Sequence, residues 1–226
     1  MTVRVATFNA ENLFARYRFR EGREPLAASG FGINDLAFDI YDETEKRITA
    51  RAIREVNADI LCLQEVENIH VLERFTSSWL GGMGYRHRML IDSHDPRFID
   101  VAVLSRFPFT RVHTHRDERN AANTAWLFSR DCLEVDVTVE GKTLSLYVNH
   151  FKSMMEGRAA TKARRQEQAT AVAAIVDRYW KDQQYQGNFI VLGDLNDYRG
   201  TGTALTSLLT HRGLVNVVDR LPQTER

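Results

Sequence analysis

The residues best suited to chemistry in this 226-residue chain are Asp194 and Asn196, which follow an apolar run typical of a buried strand. Residues two apart on an extended backbone point the same way, so this pair would present a carboxylate and a carboxamide to one site. A proton acceptor beside a neutral hydrogen-bond donor suits hydrolysis of a phosphate ester. Residues 192–196 would also make an ordinary exit from a strand into a turn.

Other strand-like runs also end in polar residues. Glu65 follows the apolar run at residues 60–63, where a carboxylate is costly unless a cation or a donor meets it. Mg²⁺ is usually held by one or two carboxylate or carboxamide oxygens together with water and substrate phosphate. We therefore predict that Glu65, helped by Asn9, binds the metal. The alternative is that Glu65 caps a turn or pairs with an arginine, and the residues alone leave both interpretations open.

His150 ends another strand-like run, unlike the other six of the seven histidines in the chain. A histidine paired with a carboxylate such as Asp100 keeps its proton more readily, and could bind a phosphoryl oxygen or the leaving group. Lys152 adds a positive charge one strand step further on. A lone histidine is more often structural than catalytic, so the catalytic interpretation depends on the neighbouring strand ends.

The composition is that of a soluble globular protein, with 43% hydrophobic and 27% charged residues, and the length fits one domain over residues 1–226. Thirty basic and thirty acidic residues balance, so an anionic partner must be met by a local patch. Cys62 and Cys132 are interpreted as free thiols of a reducing compartment. The sequence shows neither a signal-peptide pattern nor a transmembrane run, and we expect a cytoplasmic protein.

Hydrophobic periodicity predicts the elements that must position these groups. The predicted strands cover residues 3–8, 60–63, 101–104, 133–139, 144–148 and 188–192, and the predicted helices cover residues 44–57, 69–80, 158–180 and 203–210. In the first helix, Ile48, Ala52 and Val56 would form the buried stripe. Because strands outnumber helices and both hairpin and crossover connections occur, we expect a two-sheet core with outer helices rather than a doubly wound parallel sheet.

Two further interpretations concern the middle of the chain. Residues 133–139 alternate between apolar and polar side chains, which predicts that Glu134 lies on a solvated face. His113 and His115 could form a metal pair on a strand, but they stand among arginines, and we interpret them as part of a solvated basic loop.

Five segments together resemble the endonuclease/exonuclease/phosphatase superfamily, and they occur in the order of that family. They read TFNAENLF from Thr7, ADILCLQEVEN from Ala58, IDVAVLSRFP from Ile99, VNHFKS from Val148 and LGDLN from Leu192. The resemblance implies an α+β fold, a four-layered α/β/β/α sandwich of two mostly antiparallel sheets with outer helices. It also implies hydrolysis of phosphoester bonds with Mg²⁺ or Mn²⁺.

The resemblance further implies a role for each matching residue. Asn9 and Glu65 would hold the metal, and His150, tied to Asp100, would contact the scissile phosphate. Asp194 would orient or deprotonate the attacking water, and Asn196 would stabilise the phosphoryl charge.

One departure from the family pattern affects the expected activity. Family members carry a second Asp-His pair on a further strand or two, and the dipeptide Asp-His does not occur in this sequence. We therefore expect that the sequence lacks its C-terminal strand or strands. We also expect the 226-residue chain to have little or no activity alone.

For the substrate, the first expectation is nucleic acid, because clusters of basic residues could follow a phosphate backbone. The clusters lie at residues 16–23, 86–88, 111–119 and 152–165, and in the last of these Lys152 and Arg165 are predicted to bind substrate. The alternatives are a phosphatase or phosphodiesterase acting on lipid headgroups or small phosphoesters, and a non-catalytic binding module on the same fold. Residues 16–43 and 107–125 are the expected specificity loops.

Overall fold

Two four-stranded sheets lie at the centre of the computed structural model, which describes residues 2–14, 43–200 and 202–225. The first sheet contains β1 (Val5–Leu13), β2 (Ile60–Val66), β3 (His87–Leu90) and β4 (Asp100–Ser105). The second contains β5 (Phe109–His113), β6 (Cys132–Val139), β7 (Lys142–His150) and β8 (Asn188–Asp194). Most of the predicted loop at residues 16–43 lies outside the described residues.

Both sheets are mixed, with one parallel and two antiparallel strand pairs. The strand order is β1-β2-β4-β3 in the first sheet and β5-β6-β7-β8 in the second. The parallel pairs are β1 with β2 and β7 with β8. Each sheet therefore has a parallel pair at one edge, and the strands of such a pair end side by side.

The helices are α1 (Glu43–Val56), α2 (Ile69–Trp79), α3 (Arg158–Trp180) and α4 (Thr206–Leu209). Short 3₁₀ turns follow at Val217–Arg220 and Gln223–Glu225. In the part of the chain that the structure describes, no helix has both the length and the apolar character needed to cross a membrane.

Three hydrophobic clusters define the layers. Residues from both sheets, such as Ile60 and Val148, share the central cluster, so the sheets pack face to face. Leu72 of α2 packs on the outer side of the first sheet, and Val172 of α3 packs on the outer side of the second. The result is a four-layered α/β/β/α sandwich, which confirms the predicted fold class.

The buried face of α1 differs from the prediction. Ile48 is 66% exposed, Val56 is also exposed, and the residues that α1 buries are Ala50 and Ile53. The sequence alone does not show which of the two stripes is buried, because the residues of both are spaced three or four positions apart. Arg54 donates to the backbone carbonyl of Trp79 at the end of α2, which helps to hold the observed face inward.

The predicted solvated face of β6 is covered as well. His115 is buried, with Nδ1 2.9 Å from Glu118 Oε1 and Nε2 3.3 Å from Glu134 Oε2. Glu134 is also buried and accepts a further hydrogen bond from Arg111. Burial alone would lower the pKa of His115, but the hydrogen bonds to the two glutamates raise it overall. The interpretation of His115 as solvated was therefore wrong. His115 and Glu134 can be buried because each is paired with a residue that can carry the opposite charge.

Candidate active site

The strand ends bring two pairs of polar residues to one place. Asn9 is the register partner of Gln64 at the end of β1 and β2, and His150 is the partner of Asp194 at the end of β7 and β8. Because neighbouring parallel strands run in the same direction, the residues that end them lie together at one edge of each sheet. The two edges meet across the space between the sheets.

Asn9 links the two carboxylates of the site. Its Nδ2 donates to Glu65 Oε1 at 3.2 Å and to Asp194 Oδ2 at 3.1 Å. Its Oδ1 accepts from the backbone N–H of Glu11 at 2.9 Å, and Glu65 Oε2 accepts from the N–H of Asn12 at 3.1 Å. The structure thus brings together three of the predicted site residues, and it presents the nitrogen of Asn9 to the carboxylates.

An irregularity in β2 accounts for the position of Glu65. The register of β2 against β4 shifts between Leu63 and Val66, and Glu65 has a backbone φ of 64°. This left-handed conformation is uncommon for a residue with a side chain, and such backbone occurs often at functional sites. Because the shift interrupts strand alternation, the Glu65 carboxylate is brought to Asn9.

Gly193 lets β8 approach β7 closely enough to place Asp194. Its φ is +130°, and a Cβ added there would lie 1.9 Å from the backbone oxygen of Asn149. The next residue, Asp194, accepts through Oδ1 from the backbone N–H of Asn196 at 3.0 Å. Asn196 Nδ2 in turn donates to the carbonyl of Phe151 at 3.2 Å, which holds its carboxamide beside the site.

His150 is buried next to an arginine that the sequence analysis missed. Arg130 Nε donates to His150 Nδ1 at 3.4 Å, while His150 Nε2 lies 3.8 Å from Glu65 Oε1 and 4.0 Å from Asp194 Oδ2. Burial, and then the charge of Arg130, lower the pKa of His150 to about 3. The predicted pairing with the carboxylate of Asp100 would keep the His150 ring protonated, and the lowered pKa contradicts that prediction.

Asp100 has a different partner. Its Oδ1 accepts from the backbone N–H of Ser93 at 3.1 Å and from the Ser93 hydroxyl. Alternate residues of β4 face opposite sides of the sheet. Asp100 is therefore on the same side as Ala102, which packs beneath the helices, whereas Val101 faces the second sheet. This alternation explains why the predicted pairing with His150 is not found. Burial raises the pKa of Asp100 to about 6.

The two residues predicted to bind substrate differ in accessibility. The Arg165 side chain has no exposed surface, and it donates to Asp197 Oδ2 at 3.4 Å and to Thr161 Oγ1 at 2.5 Å. Arg165 is therefore too deeply buried to bind substrate, and its contacts hold α3 in place instead. Lys152 is partly exposed, and its Nζ lies 2.5 Å from Glu156 Oε1.

Asp95 connects Arg130 to a second arginine. The buried Asp95 carboxylate lies 3.4 Å from Arg130 Nη1, and Arg97 Nε and Nη2 approach it at 3.1 and 3.2 Å. These residues come from two loops, and a strand-end pattern marks neither loop. The usable signal was that Arg130 stands between two short apolar segments, residues 127–128 and 132–133, since a charge beside buried residues needs a buried partner.

The oxygen atoms of this site fit a divalent metal ion. Glu65 and Asp194 supply two carboxylates, and Mg²⁺ is commonly bound by one or two carboxylates with water and substrate completing its shell. Asn9 would have to turn its amide over to offer its oxygen. Among the described residues, no group of three or more His, Cys, Asp or Glu side chains is arranged to hold a metal ion.

Solved structures with the same fold come from several organisms. A β-hairpin deletion mutant of beta toxin from Staphylococcus aureus superposes with a TM-score of 0.59 at 14% identity, covering 92% of this chain and 71% of that one. The human Nocturnin catalytic domain gives a TM-score of 0.61 at 17% identity, covering 84% and 71%. Sphingomyelinase C from Streptomyces griseocarneus gives 0.53 at 20% identity, covering 74% and 62%. Similarity at this level establishes the fold.

Family membership is established by sequence. A search of curated proteins found no match to the chain. The model of the endonuclease/exonuclease/phosphatase family matches residues 4–216, which is most of the sequence and confirms the resemblance. Members of this family hydrolyse phosphoester bonds and are generally dependent on divalent metals. The chain therefore belongs to the endonuclease/exonuclease/phosphatase family.

Proposed function

We propose that this chain is a divalent-metal-dependent phosphodiesterase that uses Mg²⁺ or Mn²⁺. The observation that carries the proposal is the hydrogen-bonded bridge from Glu65 through Asn9 to Asp194, with His150 within 4.0 Å of both carboxylates. This arrangement combines oxygen ligands for a cation, an exposed proton acceptor and a hydrogen-bond donor. Metal-dependent phosphoester hydrolysis uses all three.

Glu65, with Asn9, would hold the metal, which would supply positive charge to the phosphoryl oxygens when bound. Asp194 is 32% exposed in its side chain and is fixed through both oxygens, and it would orient or deprotonate a water. His150 would contact the scissile phosphate. One N–H of the Asn196 carboxamide is taken by Phe151, and the other would stabilise phosphoryl charge.

Nucleic acid stays the first proposed substrate class because of the basic clusters of the sequence. Within those clusters, residues 86–88 lie at the end of β4 away from Glu65, and Arg111 is paired with Glu134. A second candidate is a small phosphoester or a lipid headgroup. It is favoured by the internal pairing of cations near the site: Lys152 with Glu156 at 2.5 Å and Arg158 with Asp197 at 3.0 Å. Paired cations contribute less to binding a long phosphate backbone than free ones do.

The test measures turnover of bis(p-nitrophenyl) phosphate, p-nitrophenyl phosphate, DNA, RNA and phosphocholine-headgroup lipid with Mg²⁺, Mn²⁺ or EDTA. Any metal-dependent turnover of the chain should fall by roughly 10²–10⁴-fold in Asp194→Asn, because that is the usual contribution of a general base. Asp182→Asn, at an exposed position, is the matched control.

Each outcome of this test has a distinct meaning. Turnover that requires metal and Asp194 would overturn the expectation that the chain alone is inactive. Turnover that EDTA leaves intact would contradict the proposal. Binding of metal and phosphoester without turnover is expected both for a chain that lacks its C-terminal strand or strands and for the non-catalytic binding module.

A further inference from the structure

β1 ends in a bulge that lies directly beside the end of β2. Residues 10–12 of β1 lie opposite Glu65 alone, because the register between the two strands resumes only at Leu13. Ala10 and Leu13 are buried in the hydrophobic cluster on the outer side of the first sheet. These two buried side chains fix both ends of the bulge, so the exposed residues between them must take the conformation that closes it.

The two exposed residues of the bulge have a left-handed backbone, with φ of 47° at Glu11 and 64° at Asn12. Asparagine adopts this conformation more readily than most residues, glycine adopts it without cost, and a β-branched side chain is strained there. The N–H of Glu11 donates to Asn9 Oδ1 at 2.9 Å. The N–H of Asn12 donates to Glu65 Oε2 at 3.1 Å. The bulge therefore aims successive backbone donors at two residues of the candidate site.

The hydrogen bond from Asn12 leaves the other oxygen of Glu65 facing the site. Oε1 lies 3.2 Å from Asn9 Nδ2, which also donates to Asp194, and it lies 3.8 Å from His150 Nε2. Oε1 thus faces the space shared with the second sheet, whereas Oε2 is held by the backbone of β1. A carboxylate that is already fixed loses less side-chain entropy when it binds a cation.

We propose that Asn12 is a positioning residue for the cation, because its left-handed backbone holds Glu65 Oε2 and so directs Oε1 into the site. The inference rests on the proposed function, since it takes Glu65 as a ligand of the metal. The hydrogen bond itself belongs to the chain without metal. Because the backbone of Asn12 makes this contact, its side chain acts through the conformation that it allows.

The first test measures metal affinity. Calorimetric titration of the metal-free chain with Mn²⁺ or Mg²⁺ gives Kd for the unaltered chain and for Asn12→Gly, Asn12→Ala and Asn12→Val. We expect Asn12→Val to raise Kd by roughly 10–100-fold, the usual effect of losing a hydrogen bond that orients a metal ligand, and Asn12→Ala to raise it less. Asn12→Gly should keep Kd within about threefold of the unaltered value, because glycine retains the left-handed backbone.

Gln184 provides the matched control for backbone strain. It is exposed, has φ of 53°, and lies next to a second left-handed residue, Tyr185. The two residues belong to the connection that enters β8 at the end away from Asp194. Gln184→Val should therefore lower the free energy of unfolding, as Asn12→Val does, and leave Kd unchanged. An unchanged Kd in Asn12→Val, an equal rise in Gln184→Val, or an equal rise in Asn12→Gly would overturn the proposal.

The second test examines the hydrogen bond without metal, by amide hydrogen exchange. The N–H of Asn12 should be protected in the unaltered chain although the residue is exposed. Glu65→Ala removes the acceptor, so exchange at Asn12 should accelerate by roughly tenfold or more. The N–H of Glu67, which donates to the Leu13 carbonyl at 3.1 Å just beyond the bulge, should keep its rate. An Asn12 amide that exchanges equally fast in both chains would refute the proposal.

Together the two tests separate this role from the proposed function. If the unaltered chain binds neither ion, the proposed function fails and the positioning role fails with it. If the unaltered chain binds the ion and Asn12→Val binds it equally well, the proposed function stands and the role of Asn12 is refuted. If Asn12→Val does not fold, the Kd of Asn12→Ala and the exchange rates in Glu65→Ala decide.

Discussion

Asn9 Nδ2 lies 3.1 Å from Asp194 Oδ2, although 185 positions separate the two residues in the sequence. Asn9 belongs to an edge strand of the first sheet, and Asp194 ends an edge strand of the second. The hydrogen bond therefore crosses from one sheet to the other. It follows that the carboxylates of the candidate site come together when the apolar faces of the two sheets pack.

Removing the Glu65 carboxylate should abolish metal binding. For the unaltered chain, Mg²⁺ or Mn²⁺ at about 100 times its Kd should stabilise the fold by about 3 kcal/mol, a shift in Tm of about 5–10 °C. Glu65→Gln should lose this shift, because a carboxamide is a poorer ligand than a carboxylate, whereas Glu55→Gln on the exposed surface of α1 should keep it. Equal shifts in both variants, measured by calorimetry, would place the metal elsewhere.

Gly193→Ala should disrupt the joining of β7 and β8. Its Cβ would meet the Asn149 backbone 1.9 Å away, whereas the space around Gly141, also with positive φ, is open within 4 Å. We expect Gly141→Ala to cost about 1 kcal/mol for backbone strain and Gly193→Ala about 2 kcal/mol more, from overpacking. Urea denaturation measures both, and equal losses would argue against the clash.

Asp100→Asn should stabilise the protein at neutral pH. Burial raises the pKa of Asp100 from 3.8 to about 6, so ionisation opposes folding, and the unfolding free energy falls as pH rises between these two values. The loss is about 3 kcal/mol by pH 7. Asparagine can accept the same bonds from Ser93 without ionising. The stability of Asp100→Asn relative to the unaltered chain should therefore rise from pH 4 to pH 7, and parallel stability curves would contradict this account.

His115→Gln should destabilise the protein more at low pH than at high pH. Hydrogen bonds to Glu134 and Glu118 raise the pKa of His115 above its ordinary value of 6.5 despite burial. The stabilising contribution of the protonated ring is therefore complete below pH 6.5 and disappears as pH rises through the raised pKa. Denaturation at pH 6 and pH 9 measures the difference. His70→Gln, on the exposed side of α2, is the control, and a difference that does not depend on pH would contradict the paired state of His115.

The strand ends were predictable because each follows a clear local pattern. An apolar run that stops at a polar residue marks Glu65, His150 and Asp194, and a parallel pairing gathers such ends without further information. The face of Asp100 was not predictable in the same way. The order of the motifs predicts that Asp100 lies near the site, but strand alternation determines which layer its side chain faces. The register shift in β2 changes the alternation of that strand and not of β4.

The contacts of Arg130 and Asp95 depend on two loops that carry no periodic signal. The two residues are 35 positions apart, and their pairing arises from how residues 91–99 and 114–131 pack once the sheets have formed. The buried face of α1 was mispredicted for a related reason. Two stripes of similar character exist on that helix, and contacts with α2 select between them.

The parallel register of β7 and β8 sets His150 directly beside Asp194. Inserting or deleting one residue within either strand would exchange its inward and outward faces, and His150 or Asp194 would then point toward α3 instead of the site. In evolution, the residue count along these two strands is therefore expected to be invariant. Changes in length should accumulate at the opposite end, in the turn at residues 140–141 and in the connection at residues 181–187, where they leave the register intact.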